Sequence, residues 1–356
     1  VQAFAHLNMR KLKQAYDRTT KRVLILDFNG TIVLKEPPGK YLKREILGTS
    51  GNKPPPQVLD ALGRLCNDPR NTVYVVSGDS SDNVINALGH IPNLGLAVSN
   101  GAKFSAPMVE GETERRWQTF DLGVDWEAVK AVAHPVLSKY TARSNGSFVK
   151  LTKFSIGWSY YSCDPEWGSL QASHLVLELE SELRAFDVRF VTLKGIIEVV
   201  PRRLNKGLIV KKVLRDISQQ SHGEEGLDFI MCMGDDISDE KMFTSVFSFI
   251  AEMDDADHVV PGPPVLNEDG TPEDKPSTAM VPAHGDAAVH GQESNSMIRD
   301  PLYAYTVAVG KKPSHASMWV NDAQEVANIL VLLGTGTLPA GGVPVWQHEN
   351  ATHLFT

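Results

Sequence analysis

Hydrophobic residues in the first hundred positions form short apolar runs that alternate with amphipathic stretches. Apolar side chains recur at helical spacing between Phe4 and Tyr16, which predicts a helix leading into the first strand. Further apolar runs rich in β-branched residues predict buried strands, and amphipathic helices separate them. The predicted strands are 23–26, 72–76 and 94–98, and the predicted helices are 56–66 and a segment through 84–88. Strand, helix and strand at this spacing predict a parallel sheet.

The pattern changes near Trp117 and changes back near Asn205. Between these points, alternating and amphipathic segments predict a smaller α+β block inserted into the first domain. Its predicted helices are 125–140 and 168–184, and its predicted strands are 148–151, 155–161, 188–192 and 196–200. Afterwards the chain predicts a helix at 208–217, strands at 229–233 and 304–309, and a last helix at 324–333.

These patterns divide the chain into domains. We predict a lead-in helix at 1–22, a core at 23–115 and 204–333, a cap at 116–203, and a tail at 334–356. A loop rich in Pro, Gly and Lys is expected over 35–56. Residues 254–300 are rich in Pro, Ser, His and Gly, and we predict a disordered insertion there because little apolar area is available to offset chain entropy.

Composition excludes several classes of protein. The net charge of −8 over 356 residues argues against a nucleic-acid surface. Three scattered cysteines favour buried core positions and a reducing, cytoplasmic environment over a disulfide framework. The apolar run at 329–333 is far too short to span a membrane. Neither a signal peptide nor an initiator Met begins the chain, so we expect a piece of a longer protein.

Acidic residues follow two of the predicted strands. Asp27 ends the first strand and begins the turn Asp27-Phe-Asn29-Gly-Thr31, while Gly234-Asp235-Asp236-Ile-Ser-Asp239 follows the strand at 229–233. Ligands of open α/β sheets lie beyond the carboxyl ends of strands. One such turn is ordinary turn chemistry, and Ser77 or Asn205 taken alone read as turn or cap residues. Two acidic clusters at two strand ends favour a functional site.

Together these motifs resemble those of haloacid-dehalogenase-type phosphatases. The set comprises Asp27 to Thr31, Ser77 after a strand, Lys206 at a helix start, and Asp235 to Asp239. Trp158-x-Tyr160-Tyr161, Asp164-Pro-Glu-Trp-Gly168 and Glu198-Val-Val-Pro201 narrow the resemblance to trehalose-6-phosphate phosphatase domains. The resemblance implies an α/β fold, with a Rossmann-like parallel-sheet core and an inserted, smaller α+β cap domain. Sucrose-phosphate-type phosphatases share the core motifs, but their cap lacks the pattern from Trp158 to Gln171.

The resemblance also assigns roles to residues of the core. Asp27 is the expected nucleophile, and Asp27, the main-chain carbonyl of Asn29 and Asp235 are the expected Mg²⁺ ligands. Phosphate oxygens are expected to be bound by Thr31, Ser77 and Lys206. Asp236 and Asp239 are expected to hold metal-bound water and to orient Lys206.

Partners outside the core are implied in the same way. In the cap, Lys153 and Glu198 are the expected contacts of a phosphosugar, trehalose 6-phosphate. The lead-in at 10–22 is similar to the junction in two-domain synthase/phosphatase proteins. It implies a glucosyltransferase (synthase) domain on the N-terminal side.

Three positions depart from the family pattern. Asn29 stands where a second Asp protonates the leaving sugar oxygen and later activates water. Leu151 replaces a sugar-binding Glu, and Ser99-Asn100-Gly101 replaces Glu-His-Gly. Two hypotheses follow: a slow trehalose-6-phosphate phosphatase, or a regulatory domain that binds Mg²⁺ and a phosphosugar without turnover. The residue at position 29 distinguishes them, because an amide supplies no acid–base catalysis.

Overall fold

The computed structural model describes residues 4–36, 51–108, 111–193, 195–220, 226–254, 262–273 and 298–342. Its strands are β1 Ala5–His6, β2 Arg22–Asp27, β3 Asn71–Val76, β4 Leu94–Val98, β5 Lys103–Ser105, β6 Gln118–Phe120, β7 Phe148–Leu151, β8 Ile156–Ser159, β9 Val188–Leu193, β10 Ile196–Pro201, β11 Leu227–Gly234, β12 Val265–Asn267, β13 Ile298–Val309 and β14 Met318–Val320. Its helices are α1 Met9–Arg18, α2 Pro56–Asn67, α3 Ser81–Leu88, α4 Trp126–Ala142, α5 Pro165–Glu182, α6 Gly207–Gln219, α7 Glu240–Asp254 and α8 Ala323–Thr335. Across these residues, none of the helices has the length and apolar character of a membrane span.

A single large sheet runs through the first of two compact units, whose described residues are 4–36, 51–108, 111–119, 205–220, 226–254, 262–273 and 298–342. Within the described chain its strand order is β1-β14-β13-β11-β2-β3-β4-β5-β6-β12. The strands from β1 to β4 in this order pair in parallel, and β5 and β6 extend the sheet antiparallel. The carboxyl ends of β2, β3 and β11 therefore meet at one edge.

β2 is central in this sheet and all six of its residues are buried. Leu24 and Leu26 belong to the apolar cluster that includes α1, α2 and α8. Val23 and Ile25 alternate to the opposite face and are equally buried. A strand covered on both faces reads as a continuous apolar run, which is why the sequence pattern located it.

Arg22, at the start of β2, is buried and ties this strand to its surroundings. Its guanidinium donates to the Thr19 carbonyl at 2.5 Å and forms an ion pair with Asp68 at 3.2 Å. It also donates to the Asn71 side chain at 3.2 Å and lies 4.0 Å from the centre of the Tyr16 ring. These contacts join α1, β2 and the start of β3, so they help to fix the position of β2 in the sheet.

The second compact unit contains Phe120–Leu204. Its antiparallel sheet has the order β7-β8-β10-β9, and α4 and α5 share an apolar cluster with β8 and β10. Trp158 is fully buried in this cluster and donates its indole N–H to the Thr141 hydroxyl at 3.0 Å. The structure therefore contains the predicted parallel-sheet α/β core and the predicted smaller α+β unit.

The start of the chain differs from the prediction. The predicted helix begins only at Met9, because Ala5–His6 pairs with the edge strand β14 and the Leu7 amide donates to the Trp319 carbonyl at 2.9 Å. Apolar spacing alone does not show that a sheet edge offers hydrogen bonds to residues nearby. Asn8 then begins the helix by accepting a hydrogen bond from the Lys11 amide at 3.1 Å.

The predicted disorder of 254–300 is wrong for 298–300, where β13 begins, and for 262–273. This stretch contains β12, which lies beside β6 in the large sheet. The Gln118 amide donates to Asn267 at 3.2 Å, and Lys212 forms an ion pair with Glu273 at 3.1 Å. Polar contacts with distant residues, rather than local apolar content, order the segment. The rest of the insertion between 255 and 297, most of the predicted loop at 35–56, and the tail beyond 342 lie outside the described residues.

We expect Arg22→Met to lower the free energy of unfolding by about 3 kcal/mol, because the Asp68 carboxylate and the Thr19 carbonyl lose a buried cation. Urea denaturation measures this change. Arg18→Met is the matched control, because Arg18 is exposed in the last turn of α1; it should stay within about 0.5 kcal/mol of wild type. Equal effects of the two substitutions would contradict the anchoring role of Arg22.

Candidate active site

Asp27 is the last residue of β2, and its side chain is buried where the strand ends. The next residues form a tight turn, in which the Gly30 amide donates to the Val33 carbonyl at 2.9 Å. Gly30 has φ +82°, and a Cβ atom there would lie 2.4 Å from the Asp235 carboxylate. Glycine is therefore required both by the backbone conformation and by the close approach of Asp235.

The second acidic cluster follows β11, the strand beside β2. One Asp239 oxygen accepts hydrogen bonds from the Asp235 and Asp236 amides, both at 2.9 Å. The Asp236 side chain accepts from the Ile237 amide and begins a short 3₁₀ turn at Ile237–Asp239. A Cβ at Gly234 would lie 2.5 Å from the Asp239 Cβ, so the strand end has space only for glycine. This backbone arrangement holds the Asp239 carboxylate in a fully buried position.

Lys206 connects the two clusters. It precedes α6, and its ammonium donates to Asp27 Oδ1 at 2.6 Å and to Asp239 Oδ1 at 2.7 Å. All three side chains are almost completely buried. Thr31 donates its hydroxyl to the other Asp27 oxygen at 3.0 Å. The structure thus brings together Asp27, Thr31, Lys206, Asp235 and Asp239, which the sequence places in three separate motifs.

Burial governs the electrostatics of this group. Burial and, after it, the nearby Asp239 charge raise the pKa of Asp27 to about 8, while the Lys206 ammonium acts in the opposite direction. Burial disfavours the Lys206 charge, but Asp27 and Asp239 raise the Lys206 pKa above its usual value. The lysine therefore remains charged, and the carboxylates depend on it as a counter-charge.

The acidic side chains form a candidate cation site. One oxygen from each of Asp27, Asp235 and Asp239 lies within 4.8 Å of the others, and this is the metal-type cluster found among the described residues. Carboxylate oxygens suit Mg²⁺, and the missing Cβ of Gly30 lets the Asp235 carboxylate approach the turn after Asp27. The donor set therefore fits the predicted ion. Asp236 lies apart from this cluster.

Lys35, which the sequence motifs do not single out, also lies at the site. Its ammonium lies 2.8 Å from Asp235 Oδ2 and 3.2 Å from Asp236 Oδ2. A cation thus already contacts the carboxylate expected to bind Mg²⁺. More than half of the Lys35 side chain is exposed, so it can move away at little cost. A lone lysine in a turn gives no sequence signal for this contact.

Asp79 was also missed, although it lies directly after Ser77-Gly78 at a third strand end. Its buried carboxylate accepts a hydrogen bond from Asn29 Nδ2 at 3.3 Å. The Asp79 amide donates to the Ser77 hydroxyl oxygen at 3.0 Å. The rule that strand ends carry functional side chains would have identified this third carboxylate. Ser77 and Asn29, both predicted site residues, are thus linked through Asp79.

The segment Ser99-Asn100-Gly101 supports the turn that carries Ser77. All three residues have positive φ, at +52°, +57° and +85°. The Ser99 amide donates to the Asp79 carbonyl at 2.9 Å, and the Asn100 amide donates to the Ser77 carbonyl at 3.0 Å. Two non-glycine residues with positive φ are uncommon and persist where surrounding contacts hold them. The departure from Glu-His-Gly therefore coincides with a defined turn.

The predicted cap residues lie in the second unit. Lys153 follows β7 and is exposed, with its ammonium 5.6 Å from the centre of the Phe154 ring. Glu198 is half-buried on β10, opposite Gly157 of β8. A Cβ at Gly157 would lie 3.3 Å from the Glu198 Cγ, so the side chain passes over this glycine. Leu151 is about half exposed and offers no polar atom. The roles of Lys153 and Glu198 stay predictions.

A family model and several known proteins are similar to this chain. The family model for trehalose-phosphatase matches residues 44–260. A probable alpha,alpha-trehalose-phosphate synthase (UDP-forming) 10 of Arabidopsis thaliana is 32% identical over 343 residues, which cover 96% of this chain and 32% of that protein. The chain spans about a third of the length of such curated relatives.

Two solved structures from Candida albicans share the fold. The C-terminal domain of its trehalose-6-phosphate phosphatase has a TM-score of 0.64 at 24% identity, covering 94% of this chain and 99% of that chain. The C-terminal domain of its trehalose synthase regulatory protein has a TM-score of 0.59 at 12% identity, covering 92% of this chain and 99% of that chain. The predicted haloacid-dehalogenase-like fold is confirmed.

The raised pKa of Asp27 predicts a pH-dependent stability. The unfolded carboxyl releases its proton near pH 4, whereas the folded one does so at about 8. Between these values the folded state binds more protons, so the stability due to this group falls as pH rises. Asp27→Asn removes the effect, and its thermal midpoint should therefore gain on wild type between pH 4 and pH 8, measured with a chelator present.

Asp60→Asn is the control for this measurement, because Asp60 is exposed on α2 and pairs with Arg64 of the same helix. Its midpoint difference from wild type should not vary with pH. A constant difference for Asp27→Asn as well would show that burial does not perturb this carboxyl.

Proposed function

The chain belongs to the trehalose-phosphatase family, and from this premise we propose that it binds a divalent cation and a phosphosugar without efficient turnover. The phosphosugar is of the trehalose 6-phosphate class. In this proposal the domain acts as a regulatory module beside a synthase domain. The observation that carries it is the amide of Asn29, which donates to Asp79 where the reaction requires a carboxyl group.

The residues present support the attack on phosphorus and the binding of the phosphoryl charge. Asp27 would attack phosphorus through a carboxylate oxygen, forming a bond to phosphorus as the sugar oxygen departs. The transferring phosphoryl group carries negative charge that needs cationic partners and donors. Lys206 supplies a buried positive charge 2.6 Å from Asp27. Thr31 and Ser77 supply hydroxyl donors near the same strand ends.

Mg²⁺ would supply positive charge at the phosphoryl group, held by Asp27, Asp235 and the Asn29 carbonyl. Asp239 keeps Lys206 beside the nucleophile by its hydrogen bond at 2.7 Å. Asp236 is exposed beside Lys35, and the family resemblance assigns it a water molecule bound to the cation. None of these groups depends on the identity of the side chain at position 29.

Both steps of the chemistry lack their proton carrier. The departing sugar oxygen is strongly basic and must receive a proton, and the later attack by water must lose one. An amide does neither at neutral pH. General acid–base catalysis contributes roughly 10²–10⁴-fold, or about 3–5 kcal/mol of barrier. The loss of this contribution alone is enough to make turnover slow on the scale of typical enzymes.

Two comparisons support a role other than efficient hydrolysis. The Arabidopsis thaliana relatives are named as trehalose-phosphate synthases, and this chain matches about a third of their length. A trehalose synthase regulatory protein of Candida albicans has a C-terminal domain with the same fold. Both are compatible with a phosphatase-type fold that serves a synthase. The alternative function is a slow but productive phosphatase, favoured by the complete set of Asp27, Lys206 and Asp235.

Turnover of trehalose 6-phosphate distinguishes these functions. We expect wild-type kcat to lie at least about 10²-fold below the typical enzyme value of about 10 s⁻¹, because no group protonates the leaving oxygen. Phosphate release under saturating Mg²⁺ measures it, with Asp27→Asn as the blank for nucleophile-dependent activity. The Asn29-Gly30 pair is prone to deamidation, so peptide mass spectrometry must accompany the assay. A wild-type kcat near 10 s⁻¹ on undeamidated protein would overturn the proposal.

Mg²⁺ binding should survive the loss of turnover. We expect isothermal calorimetry to detect Mg²⁺ binding that Asp235→Asn weakens at least about tenfold, because one hard ligand and one charge are lost. Lys35→Met should strengthen binding, because its ammonium competes for Asp235. Asp82→Asn, an exposed carboxylate in the first turn of α3, is the control and should leave the affinity unchanged. Equal affinities across all four proteins would reject the site.

A further inference from the structure

Asp79 is a carboxylate for which the proposed chemistry has no use. It is 4% exposed and lies in the turn after β3, beside the predicted phosphate-binding residue Ser77. Its backbone is held at both ends, since its amide donates to the Ser77 hydroxyl and its carbonyl accepts from the Ser99 amide. The side chain accepts from Asn29 Nδ2 at 3.3 Å. A buried carboxylate on a fixed backbone cannot turn to water when its neighbour changes.

The contact between Asn29 and Asp79 needs one donor and one acceptor. The Asn29 amide provides the donor and the Asp79 carboxylate the acceptor. A carboxylate at position 29 would place a second acceptor and a second negative charge at the same separation. Like charges this close repel each other in a partly buried contact. The Asp expected at position 29 of an active enzyme is therefore incompatible with Asp79 of this chain.

We propose that Asp79 is a positioning residue matched to Asn29, and that the two positions form one coupled pair. The pair orients the amide and fixes the side chain at position 29 relative to Asp27. A carboxylate at position 29 suits the site only when position 79 gives up its charge. Restoring the general acid thus requires both positions to change, and Asn29→Asp alone restores little. The part of this inference that concerns activity rests on the proposed function.

The chain offers a matched test, because the amide and the carboxylate can be exchanged. Asn29→Asp combined with Asp79→Asn keeps the donor, the acceptor and the net charge, and reverses only their order. The other members of the cycle are wild type and the two single variants. Asp82→Asn, three residues beyond Asp79 and exposed, repeats the carboxylate-to-amide change without the contact.

Thermal midpoints provide a readout that does not depend on turnover. We expect Asn29→Asp to lower the midpoint by several degrees, and the exchange to return it to within about one degree of wild type. Asn29→Asp combined with Asp82→Asn should show the sum of the two single shifts. A sum of single shifts for the exchange as well would overturn the coupling, because contacting residues that interact do not give additive effects.

Phosphate release tests the effect on chemistry. With a small phosphomonoester, we expect the exchange to raise kcat at least about tenfold over Asn29→Asp, with KM little changed, because the restored carboxyl group acts in the chemical step. A merely structural role of Asp79 would not separate kcat from KM. Equal kcat for Asn29→Asp and the exchange, both above wild type, would overturn the inference.

A third outcome separates this inference from the proposed function. Coupled midpoints with no gain in kcat for either variant would support the pairing of Asn29 and Asp79. That result would overturn the attribution of slow turnover to the missing general acid. The proposed function is tested separately, by the turnover assay on wild type. High activity of undeamidated wild type in that assay would overturn it without any comparison of variants.

Discussion

The Lys206 ammonium lies between the Asp27 and Asp239 carboxylates, at 2.6 and 2.7 Å, and all three side chains are shielded from water. A buried charge without a partner is severely destabilising, so each of these residues depends on the other two. Their backbones belong to the end of β2, the residue before α6 and the turn after β11. The core must therefore place three distant chain segments within hydrogen-bond reach of one ammonium group.

The parallel sheet meets this requirement in a simple way. β2 and β11 are neighbours, so their carboxyl ends deliver Asp27 and Asp235 to the same edge. Two glycines allow the close approach. Gly30 leaves space for the Asp235 carboxylate, and Gly234 leaves space for Asp239. At both positions a methyl group would come within 2.6 Å of an acidic side chain, so packing and chemistry constrain the same residues.

The retained and the altered parts of the site lie side by side. Asp27, Lys206 and Asp239 form a complete charge network, whereas Asn29, two residues after the nucleophile, pairs with Asp79. The turn at 99–101 holds the Asp79 backbone through conformations that non-glycine residues seldom adopt. The departures at positions 29 and 99–101, which are scattered in sequence, thus meet in one set of contacts. This shared set of contacts supports the proposal that the site binds a phosphosugar without efficient turnover.

The sequence by itself located the long buried strands β2, β3, β4 and β11 of the core, because a strand buried on both faces leaves a continuous apolar run. It also located the helices α2, α3, α6 and α8 from their amphipathic pattern. It also located Asp27, Lys206, Asp235 and Asp239, since strand ends and helix starts place functional side chains and the motifs match a known family. Only the tertiary structure showed α7 and the sheet strands β1, β5, β6, β12 and β14. Of these, β1 and β12 are held by hydrogen bonds to distant parts of the chain. Lys35 likewise became visible only in three dimensions, because its partner Asp235 lies 200 residues away along the chain. The strand-end rule could have found Asp79, but its contact with Asn29, 50 residues away, needed the tertiary structure. The local sequence pattern shows which side chains of a segment are buried, whereas the tertiary contacts determine which charged side chains lie next to each other.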